Sequence, residues 1–378
     1  MKGFFVGVAA CLAWVPCGAV EAQTRLDLLR GDSESRRFAQ ALEPRTFAFP
    51  RDHGPHPEFR HEWWYVTGHL ESTGGRRFGF ELTFFRYALA PPPAQATVQG
   101  ASAWRANQVY MAHFAVTDLD RRQFHFDERL SREALGLAGA QAADGAGSLF
   151  RVWLDDWVLE AAPEGWSLRA AAKGYSLDLR LQPQVAEVLN GEAGLSRKSA
   201  VAGAASYYYS VPRIAASGRL TRDGSSFDVQ GAAWLDREWG SGSLAANQAG
   251  WDWYALQLDD GSNLMFYTVR RKDGTSDPFS AGTWVGRDGA IRHLGESDVH
   301  IEVLDHWSSP RGGRYPARWR LHVPVLALDL TVRPLLPDQE LLTRPRYWEG
   351  AVEVSGRQES RAATGRGYVE LVGYAASR

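Results

Sequence analysis

The sequence predicts a mostly β protein of two tandem antiparallel barrels, on three observations. Apolar and polar residues alternate at period two, paired turn residues separate the alternating runs, and one aromatic strand–turn–strand unit occurs twice. Phe78, Phe80, Leu82 and Phe84 alternate with Gly79, Glu81 and Thr83, which puts the apolar set on one face of a strand. Leu177, Leu179 and Leu181 repeat the pattern, as do Leu326, Leu328 and Leu330. Gly74-Gly75, Asp144-Gly145, Asn190-Gly191, Asp223-Gly224, Asp260-Gly261, Asp273-Gly274 and Asp288-Gly289 are hairpin-turn pairs, since these residue types accept the positive φ of tight turns. After residue 50 no amphipathic stretch reaches four helical turns.

The repeated unit sets the domain plan. Trp63-Trp64-Tyr65 opens a strand, Gly74-Gly75 turns it, and the return ends at Arg86. Trp251-Asp252-Trp253-Tyr254 opens another, Asp260-Gly261 turns it, and the return ends at Arg270. Any two hairpins share some of this, but the matched aromatic start and arginine end favour duplication of a domain of roughly 170 residues. The expected segments are an export signal at 1–22, an arm at 23–48, one barrel at 49–217 and a second at 218–378, with the boundary near Ser217. Meanders of this size hide their edges by closing, and an eight-stranded barrel can hold one small ligand.

Composition narrows the function. The 378 residues include 15 Trp, 13 Tyr and 17 Phe, a surplus suited to strands and to pockets for apolar ligands. A net charge of −2 supplies no basic field for neutralising phosphates, which argues against nucleic acid as a partner. Lys2 precedes an apolar run from Gly3 to Val20, and Val20-Glu21-Ala22 offers small residues to a signal peptidase, so cleavage after Ala22 and a periplasmic or secreted protein are expected. Pro16, Gly18 and Glu21 leave the run short for a membrane anchor. Val8-Ala9-Ala10-Cys11 resembles a lipoprotein box, but apolar residues continue past Cys11. Both cysteines, Cys11 and Cys17, belong to this segment, so the mature chain is expected to run no thiol chemistry and to use no cysteine-based zinc site.

No Gly-x-Ser-x-Gly elbow, Walker loop or dinucleotide fingerprint occurs. His61-Glu62 begins like a zinc-protease helix, but Tyr65 stands where the second histidine belongs. The segment Arg51 to Tyr65 holds three histidines and three acids; irregular spacing favours an ordered, internally paired loop over a metal site, and neither metal nor cofactor is expected. Glu62 reads either as a buried proton donor or as a carboxylate paired with Arg86 across the hairpin. In Trp234-Leu235-Asp236-Arg237-Glu238-Trp239, alternation puts Asp236 and Glu238 on one face and Arg237 on the other. With Asp252 nearby in sequence, these carboxyls among indoles suit general-acid chemistry on an apolar substrate; the competing reading is acids satisfied by backbone and indole N–H groups at a strand end. The candidate catalytic set is Asp236, Glu238, Asp252 and Glu62, and the candidate ligand wall is Trp63, Tyr65, His113, Tyr208, Trp239, Trp251 and Trp253.

RDHGPHPEFRHEWWYVTGHL, TFFR at 83–86, SYYYSVPR at 206–213, WLDREWGS at 234–241 and GWDWYALQLDDG at 250–261 occur in one order, followed by YWEGAVEVSG and GYVELVGY. From about Phe49 to Tyr374 the chain resembles the family of carotenoid 1,2-hydratase (hydroxyneurosporene synthase) and the AttH-like secreted proteins. The resemblance implies two tandem lipocalin-like barrels. It also implies three open roles: a carrier of a hydrophobic lipid or isoprenoid ligand, a hydratase-type lyase acting on a C=C bond of an acyclic carotenoid or terpenoid, or a ligand-free partner of ABC transporter components, beside which many members sit. The signal segment and the RDHG and EWWY blocks resemble the AttH-like branch more than the pigment enzymes.

Overall fold

The computed structural model describes residues 35–92, 106–143, 147, 149–242, 244–343 and 345–375. The expected signal segment, both cysteines and the Asp144-Gly145 pair lie outside the described residues.

Nearly every described element is a strand, and every strand pairing is antiparallel. The first sheet contains β1 (His61–Ser72), β2 (Arg77–Ala88), β3 (Gln108–Asp118), β4 (Gln123–Arg132), β5 (Ala138–Gln141), β6 (Arg151–Leu154), β7 (Trp157–Ala162), β8 (Gly165–Ala172), β9 (Tyr175–Pro183), β10 (Val188–Leu189), β11 (Leu195–Arg197), β12 (Ala205–Arg222) and β13 (Ser225–Gly240). Its order is β4-β3-β2-β1-β13-β12-β9-β8-β7-β6-β5, with β10 and β11 also on β12. The second contains β14 (Gln248–Leu258), β15 (Asn263–Arg271), β16 (Ala281–Val285), β17 (Ile291–Gly295), β18 (His300–Ser308), β19 (Arg314–Val323), β20 (Leu328–Pro334), β21 (Glu340–Leu341), β22 (Tyr347–Gln358) and β23 (Arg361–Val372). Its order is β17-β16-β15-β14-β23-β22-β20-β19-β18, with β21 on β22.

Both sheets follow one course. Each begins with a four-strand meander, β1–β4 or β14–β17, and each first strand pairs with the last strand of its own sheet, β1 with β13 and β14 with β23. The result is two barrel-like sheets, one nearly closed and one a half-barrel. At the β12–β13 turn, Asp223 (φ 48°) and Gly224 (φ 78°) both adopt the left-handed conformation, as a two-residue hairpin turn requires.

Ser217, expected at the boundary, lies within β12 and is paired with Gln230 of β13 and Arg180 of β9. The chain leaves the first sheet after Gly240 and enters the second at Gln248. The correction has a physical cause: the sequence of β13 shows a strand, but its place is set by pairing with β1, where Tyr65 stands opposite Asp236.

Alternation along β1 separates two environments. Trp64, Val66 and Leu70 join the core inside the first sheet, while Trp63 and Tyr65 point out of it towards the second. In the second sheet Tyr254, Leu256 and Leu258 face that sheet's own core, and Trp253 and Ala255 face back towards the first. The two outer faces press together. A Cβ on Gly79 of β2 would stand 2.6 Å from the Ala351 Cβ of β22, so the contact requires glycine there. His69 Nε2 lies 2.8 Å from the Gly367 carbonyl oxygen, and Gln257 Nε2 donates to the carbonyls of Pro212 and Ala233. Of the expected arm, Phe38 and Ala41 are buried, and the Glu43 carbonyl accepts from the Tyr207 hydroxyl at 2.9 Å.

Candidate functional site

The outward-facing aromatic residues do not pack flush everywhere, and a cavity of about 170 Å³ remains between the sheets. Trp63 and Tyr65 of β1, His113 of β3, Tyr208 of β12, and Trp251 and Trp253 of β14 all line it. Six of the seven expected wall residues therefore meet in one place, at the junction rather than inside either barrel. The seventh, Trp239, is in the core of the first sheet, stacked on His56 with ring centroids 3.8 Å apart.

Asp236 and Glu238 stand side by side on the cavity face of β13, as alternation requires. Asp236 accepts from Tyr208 Oη at 2.5 Å, Ser210 Oγ at 2.5 Å and Trp234 Nε1 at 2.7 Å. Burial nevertheless prevails over these three donors and pushes its carboxyl up to about 7, with a further push from Glu238. Glu238 accepts from Ser206 Oγ and pairs with Lys198 Nζ at 3.2 Å. The Lys198 ammonium also sits over the ring faces of Tyr267, at 4.1 Å, and Tyr208, at 5.3 Å. Burial works against its charge and is the largest single effect, but Glu238 and Tyr267 together overcome it and hold its pKa above the usual lysine value.

Two expected acids stand elsewhere. Glu62 points into the first sheet, fully buried, and bonds both Arg86 and Arg237. Burial opposes its ionisation, but the two guanidinium groups overcome that and hold it well below the usual carboxylate range. A carboxylate so held has no proton to give at neutral pH, so the paired reading of Glu62 is the one realised. Arg237 points to the same side, with its guanidinium 3.9 Å above the Trp64 ring. Asp252 faces the second sheet's side of β14, where it accepts from Arg270 Nε at 2.8 Å and from Tyr374 Oη at 2.9 Å. It is absent from the cavity lining.

The histidine-rich loop is paired partly within itself and partly with residues outside it. His56 lies 3.2 Å from Asp52, His53 Nδ1 lies 2.6 Å from Tyr209 Oη, and Asp52 pairs with Arg45 at 3.2 Å. Among the described residues no cluster of His, Cys, Asp and Glu has the arrangement of a metal site.

Sequence reasoning missed the acids contributed by the second sheet. Glu349 of β22 and Glu370 of β23 both line the cavity, with Tyr347 and Tyr267 beside them. Burial pushes Glu370 up to about 7; Trp251 Nε1, donating at 3.0 Å, pulls it down, and Asp236 and Glu238 push it further up. Burial, and then the neighbouring Glu81 and Glu370, raise Glu349 well above the carboxylate range. Glu81 of β2, behind the lining, is pushed by burial to about 8. The available signal was the alternation in Tyr347-Trp348-Glu349 and Tyr368-Val369-Glu370, which places each acid on the face opposite its strand's core residue. The arrangement can hold an apolar molecule against indole and phenol faces and present it with carboxyls that are substantially protonated at neutral pH.

The pattern of the AttH-like family matches residues 40–374. The chain belongs to the AttH-like family. Consistent with this, the crystal structure of a putative AttH from Nitrosomonas europaea is 36% identical, covering 89% of this chain and 100% of that one with a TM-score of 0.77. Kievitone hydratase from Nectria haematococca shares the fold at 16% identity, with 90% and 98% of the two chains covered and a TM-score of 0.62. CghA, solved with Sch210972, shares it at 13% identity over 93% and 99% of the chains, with a TM-score of 0.53. No curated protein matches the sequence. Within this AttH-like chain the blocks read from sequence fall on both sides of the cavity, EWWY and DREWG on the first sheet and WDWY, YWEG and YVEL on the second.

Proposed function

We propose that the protein binds a hydrophobic small molecule of lipid or isoprenoid type in the cavity between the two sheets. The observation carrying this reading is the convergence of Trp63, Tyr65, Tyr208, Trp251 and Trp253, from both sheets, on one space. An engineered apolar cavity of about 150 Å³ holds one benzene. At about 170 Å³ this one seats a single ring or a short branched segment, so a longer ligand extends out of it. The test is solvent extraction of the purified protein with mass spectrometry of the extract, beside titration with geraniol followed by tryptophan fluorescence. Quenching that saturates supports the reading; an empty extract and unquenched indoles refute it.

A second reading, a hydratase-type lyase, is supported by Asp236, whose carboxyl is pushed to about 7 beside an apolar space. In it the Asp236 carboxyl gives its proton to one alkene carbon. Water bonds to the other carbon, and the proton that this water sheds returns to the Asp236 carboxylate, so one water is added. The kievitone hydratase likeness lends the fold only. Asp236→Asn should lower alkene hydration by ~10²-fold or more if Asp236 is the acid, and an unchanged rate would remove that role. The N-terminal segment favours placing the protein outside the cytoplasm. Association with ABC transporter components is tested by co-purification with the full-length chain.

A further inference from the structure

The cavity's acids and its one ammonium are unevenly matched. Among the described lining residues stand four carboxyls, Asp236, Glu238, Glu349 and Glu370, and a single lysine or arginine, Lys198. Lys198 is already spoken for by Glu238 at 3.2 Å and by the Tyr267 and Tyr208 rings. On the other side, both carboxyl oxygens of Glu349 and the hydroxyl of Tyr65 are buried without a well-formed hydrogen bond, the donors nearest Glu349 being the hydroxyls of Tyr65 and Tyr347. Glu349 is only 1% exposed, and both residues line the cavity. Buried polar groups left without partners are rare in native proteins and call for an explanation.

We propose that the ligand of this cavity carries a primary ammonium group, seated on Glu349 and Tyr65 with Glu370 beside it, and an apolar body laid against Trp63, Trp251 and Trp253. The inference rests on the reading that the cavity binds an apolar molecule, and adds the polar end of that molecule. An ammonium brings three N–H donors to acceptors that lack a well-formed hydrogen bond, whereas an alcohol brings one and a carboxylate would face Glu349 and Glu370. Aromatic faces attract cations, and the seat of Lys198 shows this cavity holding an ammonium with the same two elements, a carboxylate and tyrosine rings.

The protonation balance follows. Burial and the neighbouring Glu81 and Glu370 favour the protonated form of Glu349; on binding, the ammonium would replace that proton, which leaves to solvent, and the carboxylate would remain as its counter-charge. The groups facing this exchange are His61 and Tyr65 from β1, Glu81 from β2, His113 from β3, Lys198 just after β11, Tyr208 from β12, Asp236 and Glu238 from β13, Tyr267 from β15, Tyr347 from β22, and Tyr368 and Glu370 from β23. Burial, with Arg60 and Arg86, lowers His61 to about 3, so it stays neutral near pH 7.

The experiment uses the full-length protein and three probes of one ring each, benzylamine, benzyl alcohol and benzyltrimethylammonium, followed by calorimetry in buffers of different ionisation enthalpy. At pH 8 benzylamine should bind at least ~10-fold more tightly than benzyl alcohol, with about one proton released and affinity falling towards pH 6. Benzyltrimethylammonium, which lacks N–H donors, should bind more weakly than benzylamine. Glu349→Gln should weaken benzylamine ~10-fold more than benzyl alcohol and abolish the proton release. Should that variant not fold, Glu370→Gln and the pH profile of the wild-type protein decide. Benzyl alcohol bound as tightly as benzylamine, or no proton release, overturns the inference and leaves the cavity's apolar binding standing. Equal binding of the trimethyl probe overturns the N–H seat. Binding of none of the three overturns both.

Discussion

Trp253 and Tyr208 join the two sheets at the cavity: the indole Nε1 of Trp253 donates to Tyr208 Oη at 3.1 Å, and Tyr208 Oη in turn donates to Asp236 at 2.5 Å. One chain of hydrogen bonds thus links the docking of the sheets to the protonation of the acid. Replacing Tyr208 by Phe removes a donor that lowers the Asp236 pKa and leaves the Trp253 N–H without its acceptor. The Asp236 titration should move upward from about 7, read by carboxyl-carbon NMR, and stability should fall by roughly 1–3 kcal/mol. A downward movement of the titration would contradict this coupling.

Glu62 is a different kind of buried acid. Glu62→Gln leaves Arg86 and Arg237 buried without their counter-charge, and should cost about 3–5 kcal/mol in urea unfolding. Its folded-state pKa is depressed, so the stability that Glu62 supplies is present above its unfolded value of 4.5 and is lost as pH falls below it. A variant as stable as the parent would show that the ion cluster is dispensable.

The acids at the sheet junction have the opposite sign. Asp236 and Glu370 are raised to about 7 and Glu81 to about 8, each above its unfolded value. The folded state then holds protons that the unfolded chain has released, so their contribution is complete below about 4 and is lost as pH rises through 7 to 8. Thermal midpoints should decline between pH 5 and 9. Glu81→Gln should flatten that decline, and an equally steep profile in the variant would count against it.

Asp252 separates structure from site. Asp252→Asn weakens the hold on Arg270 and Tyr374 away from the cavity, and should lower stability by about 1–3 kcal/mol. Geraniol quenching of tryptophan fluorescence should keep its midpoint, and a weakened midpoint in a stably folded variant would bring Asp252 back among the ligand contacts.

A proton donor at about 7 also dictates a pH profile for any hydration. The donating form of Asp236 is lost above pH 7, so turnover at saturating alkene should fall about tenfold per unit at high pH. A rate that rises with pH would instead indicate a base.

What the sequence determined by itself was local. Period-two alternation placed Asp236 and Glu238 on one face with Arg237 on the other, and the turn pair Asp223-Gly224 made a hairpin, because side-chain direction and turn φ depend on adjacent residues. The repeated aromatic unit foretold that β1 and β14 would begin two sheets of one course. Which strands became partners was decided over long distances. β13 belongs with β1, more than 150 residues earlier, so the boundary moved from Ser217 to the segment after Gly240. Docking of the two outer faces then decided the site. It buried Glu81 and Glu349 and partly buried Glu370, which would be ordinary solvated glutamates on an isolated sheet, and removal from water is what raises their pKa values. Closure of the first sheet on itself sent Glu62 and Trp239 into its core, while the docking gathered Trp63, Tyr208 and Trp253 around a common space. Burial belongs to the pair of sheets, and no single strand carries it in its sequence.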